Sequence, residues 1–153
     1  MADIKTTTER SRNMAAIRSR DTKPEVFIRK QLFQRGYRYR IAPGTIPGHP
    51  DLYMPKYNLA VFIHGCFWHR HEGCKYAYTP KSRQEFWLKK FADNIRRDKE
   101  VQRLLKEKGI RLLVVWECAI RKANRTDDDK LALMLNIEEM IHSEDPYREE
   151  GAK

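Results

Sequence analysis

The segment 64–74, HGCFWHRHEGC, crowds three histidines and two cysteines into one short polar stretch. Cys66, His71 and Cys74 follow a C-x4-H-x2-C spacing, compact enough for three ligands to converge on one ion. The third and last cysteine, Cys118, follows the apolar run LLVVWE. A fold that recruits Cys118 as a fourth ligand must bring the end of that run back to the 64–74 loop, which excludes most paths of the chain. Three thiolates and one imidazole make a closed tetrahedral zinc site, structural in type because no position is left for water. Iron suits such a set less well. The competing reading is three buried free thiols with His71 on the surface. In a reducing compartment an odd set of cysteines favours metal or inert burial over disulfides.

The elements around the loop read as one α/β domain over residues 1–153, with a central mixed sheet flanked by helices. ERSRNMAAIRS, within residues 9–19, suits a short basic helix. In DTKPEVFIRKQLFQRGY, Thr22 and Glu25 form a capping box and Pro24 sits in the first turn. YRYRI, DLYM and NLAVFIH read as strands, separated by turn chemistry in APGTIPGHP. Ser82 and Glu85 suggest a second box opening a long helix to Lys108, with an apolar stripe of Leu88, Phe91, Ile95, Val101 and Leu105. LLVVWE suits a strand buried on both faces, with Cys118 at its end. Thr126 caps a last amphipathic helix, and residues 144–153 read as a loose tail.

Charge narrows the partner. The chain carries 31 Lys and Arg against 21 Asp and Glu, a formal charge of +10, which favours a polyanion such as a phosphate backbone. No apolar run approaches the roughly 20 residues of a membrane span. The start, MADIKTTTERSRNM, lacks a signal-peptide core. A cytoplasmic protein without a membrane partner is the expectation.

Other residues stand out singly. Asp51, after Pro50 at a strand start, could hold Mg2+ with the Ile63 carbonyl, while His64 ends the neighbouring strand; a plain turn role competes. Asp98 lies on the apolar side of the long helix and needs a partner, either a nearby Arg or Lys or a histidine from the loop. Glu25 has its capping role and could also point at a metal site. Phe67 and Trp68 stand between ligands, where core packing is the bland alternative.

The sequence resembles the very short patch repair (Vsr) endonuclease family, bacterial enzymes that nick DNA at T:G mismatches. The likeness runs from about residue 8 to 120 and is densest in RSRNM, PGHPD, HGCFWHRH, EFWL and VVWECAI. It implies a restriction-endonuclease-like core with structural Zn2+, and a Mg2+-dependent cut of one strand 5′ to a thymine left by 5-methylcytosine deamination. By position, Asp51 matches the metal aspartate and Ile63 the residue whose carbonyl binds metal. His64 and His69 match the active-site histidines, Asp98 their acidic partner and Glu25 an active-site acid. Cys66, His71, Cys74 and Cys118 match the zinc ligands. Phe67, Trp68 and Trp87 match an aromatic wedge, and Met14 falls in the basic N-terminal segment, residues 1–20, that approaches DNA.

His64 stands where this nuclease fold usually has a lysine. Glu72 and Gly73 separate His71 from Cys74 where the family pattern suggests one residue, an insertion a glycine turn can absorb. The implied partner is double-stranded DNA with a T:G mismatch, with mismatch-repair proteins as further candidates. The implied state is a monomer in a bacterial cytoplasm, at the nucleoid. The rival class is a non-catalytic, zinc-stabilised mismatch-binding module, which would need no Asp51, His69 or Asp98.

Overall fold

The computed structural model describes residues 21–152, so the expected helix within residues 9–19 and Met14 lie outside the described residues. Chain order is α1 (Lys23–Gln34), β1 (Arg40–Ile41), β2 (Leu52–Met54), a 3-10 turn (Pro55–Tyr57), β3 (Leu59–His64), α2 (Gln84–Glu107), β4 (Arg111–Trp116), α3 (Glu117–Ala123), α4 (Asp127–His142) and β5 (Tyr147–Glu150). The five strands lie side by side in chain order. β1, β2 and β3 pair antiparallel, while β3, β4 and β5 pair parallel. The result is a mixed sheet flanked by helices.

Strand alternation sorts the core into two layers. Leu59 and Val61 of β3, with Leu113 and Val115 of β4, meet Ile28 and Leu32 of α1 and Met134, Ile137 and Met140 of α4. Ala60 and Phe62, with Leu112, Val114 and Trp116, face the other way onto Leu105 of α2 and onto Cys66 and Cys118. His64 shares that second face by the same alternation. The strand thus delivers an imidazole to the α2 side of the sheet.

The helix starts show what capping chemistry can and cannot fix. The Thr22 hydroxyl accepts from the Glu25 N–H at 3.5 Å, but the Glu25 carboxylate reaches Asp21 N–H at 2.9 Å instead of Thr22. Thr126 caps α4 through the Asp129 N–H at 3.0 Å. The Ser82–Glu85 box does not form. The N-cap of α2 is Arg83 in the left-handed region (φ 55°), where its side chain makes no capping bond and stacks over Phe86 instead. A side-chain cap needs extended backbone at that position, and the chain turns too sharply there.

The apolar stripe of α2 is also rotated. Leu88 and Ile95 are exposed, while the inward line runs through Trp87, Phe91, Asn94, Asp98, Val101 and Leu105. Polar residues in its middle turn toward a cleft and not toward packed core. Cys118 sits in the first turn of α3, beyond the strand end. Residues 147–150 are not loose: they form β5 at the sheet edge, anchored where Leu112 N–H meets the Pro146 carbonyl at 3.0 Å. YREE carries no apolar signal because backbone pairing, not side-chain burial, holds it.

One glycine controls how the turn before β2 approaches α2. Gly48 has φ +80°, and a Cβ there would lie 2.5 Å from Val101 Cγ1 and 3.2 Å from Phe62 Cζ. Val101 is short and branched, so it cannot swing away. Gly48→Ala is expected to cost about 1–3 kcal/mol through overpacking and the positive φ. Denaturant unfolding measures it.

Candidate active site and metal centre

Asp51 enters β2 beside the last residues of β3. Its Oδ2 accepts the Ile63 N–H at 2.6 Å. Within a strand the N–H and C=O of one residue point to the same edge, so the Ile63 carbonyl faces the Asp51 side. Burial, together with the nearby Glu25 carboxylate, pushes Asp51 up to about 7 against the opposing pull of the Ile63 N–H. A crowded acid pair next to a carbonyl is a donor set that fits a hard divalent cation such as Mg2+.

Across the same cleft, His69 Nδ1 lies 2.7 Å from Asp98 Oδ2. A carboxylate only accepts, so Nδ1 carries the proton and Nε2 is the proton-accepting nitrogen. The loop histidine, not a neighbouring Arg or Lys, thus supplies the partner for Asp98. His64 stacks on His69 with ring centres 3.9 Å apart and planes 5° apart. It is buried, and desolvation with the adjacent His69 pushes it down to about 3, so its ring is neutral. Glu25, Asp51, Ile63, His64, His69 and Asp98 line one cleft of about 920 Å3, shared with Trp68.

The second cluster lies at the other side of the loop. Donor atoms of Cys66, His71, Cys74 and Cys118 all fall within 4.8 Å of one another. His71 Nδ1 is 3.7 Å from Cys66 Sγ and 3.4 Å from Cys118 Sγ. Tetrahedral zinc with ordinary Zn–S and Zn–N bonds has an S–N edge of about 3.6 Å, so the donors fit that ion. Gly73 takes φ +71°, the left-handed conformation that turns the chain between His71 and Cys74. Burial pushes the Cys66 thiol well above its ordinary range. Ionising it therefore needs a compensating positive charge, which a cation supplies.

Phe67 and Trp68 are half-buried in a cluster with Trp87 and Phe91. Ring centres are 5.2 Å apart for Phe67–Trp68, 5.5 Å for Phe67–Trp87 and 5.7 Å for Trp68–Trp87. The three expected wedge residues are therefore one packed unit beside the cleft, stiffened by its own edge-to-face contacts.

Arg70 is a residue the sequence did not single out. Its guanidinium donates to the carbonyls of Phe67, Ala77 and Tyr78 at 3.1, 2.8 and 2.9 Å and lies 3.8 Å over Phe91. Asn94 holds the same loop by donating to the Trp68 carbonyl at 3.0 Å. The expected stripe of α2 ran through Ile95 and not Asn94, and nothing in the sequence marks Arg70.

Comparison with known proteins places the chain among DNA endonucleases. The family model for DNA mismatch endonuclease Vsr matches residues 2–75. Type II nicking enzyme V.NmeAIP of Neisseria meningitidis serogroup A is 46% identical over 121 residues, covering 79% of this chain and 86% of the relative. DNA mismatch endonuclease Vsr of Escherichia coli K12 is 40% identical over 144 residues, covering 94% and 90%. Type II nicking enzyme V.XorIIP of Xanthomonas oryzae is 41% identical over 107 residues, covering 70% and 78%. An acid- and histidine-lined cleft in a chain so related defines a DNA endonuclease of the nicking kind. Within that class, the chain belongs to the Vsr DNA mismatch endonuclease family.

Among the described residues, no helix is long and apolar enough to cross a membrane.

Proposed function

We propose that this chain is a Mg2+-dependent endonuclease that nicks one DNA strand 5′ to the thymine of a T:G mismatch, starting very short patch repair where 5-methylcytosine has deaminated. The observation that carries the reading is the His69–Asp98 pair at 2.7 Å in the same cleft as Asp51 and Ile63. The core is then restriction-endonuclease-like, residues 1–153 form one domain, and the Cys66/His71/Cys74/Cys118 centre holds Zn2+ as a scaffold only. The protein acts as a monomer on double-stranded DNA in the bacterial cytoplasm, at the nucleoid. Residues 1–20, with Met14, contact the duplex, and mismatch-repair proteins are candidate partners.

His69 accepts a proton from the attacking water at Nε2, because Asp98 holds the proton of Nδ1 and fixes the ring. His64, neutral and stacked on His69, positions water or phosphate. Asp51 and the Ile63 carbonyl would hold Mg2+, with the Glu25 carboxylate close to Asp51. When bound, that ion relieves charge on the phosphate and on the leaving 3′ oxygen.

Phe67, Trp68 and Trp87 act as the wedge. Apolar side chains that enter a base step unstack it at a cost of a few kcal/mol. A T:G wobble is cheaper to open than a matched pair, so the wedge turns mismatch weakness into selectivity.

Two duplexes differing only in T:G against T:A test this. Nicking is expected on T:G, with Mg2+ and not with EDTA. Tight mismatch binding without any cut would leave the non-catalytic module as the correct reading. Trp68→Ala should lose discrimination between the two duplexes by roughly 1–3 kcal/mol of stacking, measured by competition binding. Nonspecific affinity, set by the basic surface and steeply salt-dependent, should change little. Equal loss on both duplexes would make Trp68 a general contact.

A further inference from the structure

The last described residues converge on the metal centre. β5 runs parallel to β4 with Glu150 beside Val115. Continuing that register sets Gly151 beside Trp116, whose ring stacks on His71 at 4.2 Å. Gly151 lies against the same imidazole: a Cβ there would sit 3.0 Å from His71 Cε1 and 3.2 Å from Nε2. One residue further, the Ala152 N–H donates to Cys118 Sγ at 3.4 Å. Glu149 accepts the Trp116 Nε1–H at 2.7 Å, so the ring packed on His71 is also held from β5.

These contacts share a physical logic. Three thiolates and a neutral imidazole around a divalent cation leave a net negative centre, here largely shielded from water. N–H donors aimed at the sulfurs offset that charge. The Cys118 N–H does so for Cys66 at 3.4 Å, and the Ala152 N–H does so for Cys118. The second donor comes from the segment that follows β5, which contributes no ligand.

We propose that residues 147–152 form a clasp over the Cys66/His71/Cys74/Cys118 centre, whose docking governs how readily the metal leaves. The clasp rests on the zinc reading of that centre. Ala152 N–H and Glu149 are positioning groups: one satisfies a ligand sulfur, the other fixes the indole against the ligand ring. Because Trp68 and His69 stand on the loop this centre anchors, an undocked β5 would loosen wedge and base together.

Zinc release from the zinc-loaded full chain into excess 4-(2-pyridylazo)resorcinol, followed by absorbance, tests the clasp. Ala152→Pro deletes the N–H, and Ala152→Ser keeps it. Glu149→Leu removes the acceptor for Trp116. Ala152→Pro and Glu149→Leu are expected to release zinc at least about 10-fold faster, the scale of lost outer-shell contacts to metal ligands. Ala152→Ser should match wild type, with circular dichroism unchanged in all three. If Ala152→Pro does not fold, Glu149→Leu decides alone. Wild-type release rates in the folded variants overturn the clasp. A wild-type chain without stoichiometric zinc overturns the metal reading and the clasp with it.

Discussion

Asp51→Ala is expected to abolish nicking while leaving mismatch binding largely intact. On the proposed mechanism the cleft loses its cation ligand, but DNA approaches a site with one carboxylate fewer and so with less repulsion. His69→Ala should lower the single-turnover rate by roughly 10²–10⁴-fold, the usual worth of a general base. Its zinc content should not change, since Nδ1 of His69 serves Asp98 and not the sulfur cluster. Asp98→Asn should fall between wild type and His69→Ala. The ring survives, but an amide can present its NH2 to Nδ1 and favour the wrong tautomer. Single-turnover nicking on T:G duplex, paired with binding titrations and metal analysis, separates these effects. Near wild-type nicking by His69→Ala from pH 6 to 9 would place the base elsewhere, with His64 next in line.

Cys118→Ser should have the largest effect on the fold. Structural zinc contributes on the order of 10 kcal/mol in small zinc domains, against a typical net stability of about 5–15 kcal/mol. Cys118 also receives the Ala152 N–H and stands in the first turn of α3, so its loss releases two elements at once. Even half the metal contribution would lower the melting point by about 10–20 °C in a chain of this length. Thermal unfolding with metal analysis checks both parts. Less than one zinc per well-folded, unchelated wild-type chain would remove the premise.

Where sequence and structure agree, the signal was local and physical. Thr22 and Thr126 cap as their spacing suggests. NLAVFIH forms β3 with His64 at its end, and the three cysteines converge with His71. Asp98 faces inward and finds His69, as an inward carboxylate must find some partner. The misses have causes too. α3 follows β4 directly, with Glu117 alone between Trp116 and Cys118, and periodicity cannot separate a short buried helix from a strand end. β5 is polar because a sheet edge is built from backbone pairing. The stripe of α2 rotates because the helix spans a cleft and packs firmly only at Phe91 and Leu105. Arg70 works through backbone carbonyls of the loop it sits in, a pattern no spacing rule records.

The position of the cut separates a T:G-specific nickase from every other nuclease. A T:G duplex labelled separately on each strand, incubated with wild-type protein and Mg2+, is resolved against a sequencing ladder. One product is expected, from the thymine strand alone, ending at the nucleotide immediately 5′ to the mismatched thymine. A cut in the guanine strand, cuts in both strands, or equal cutting of the T:A control would contradict it.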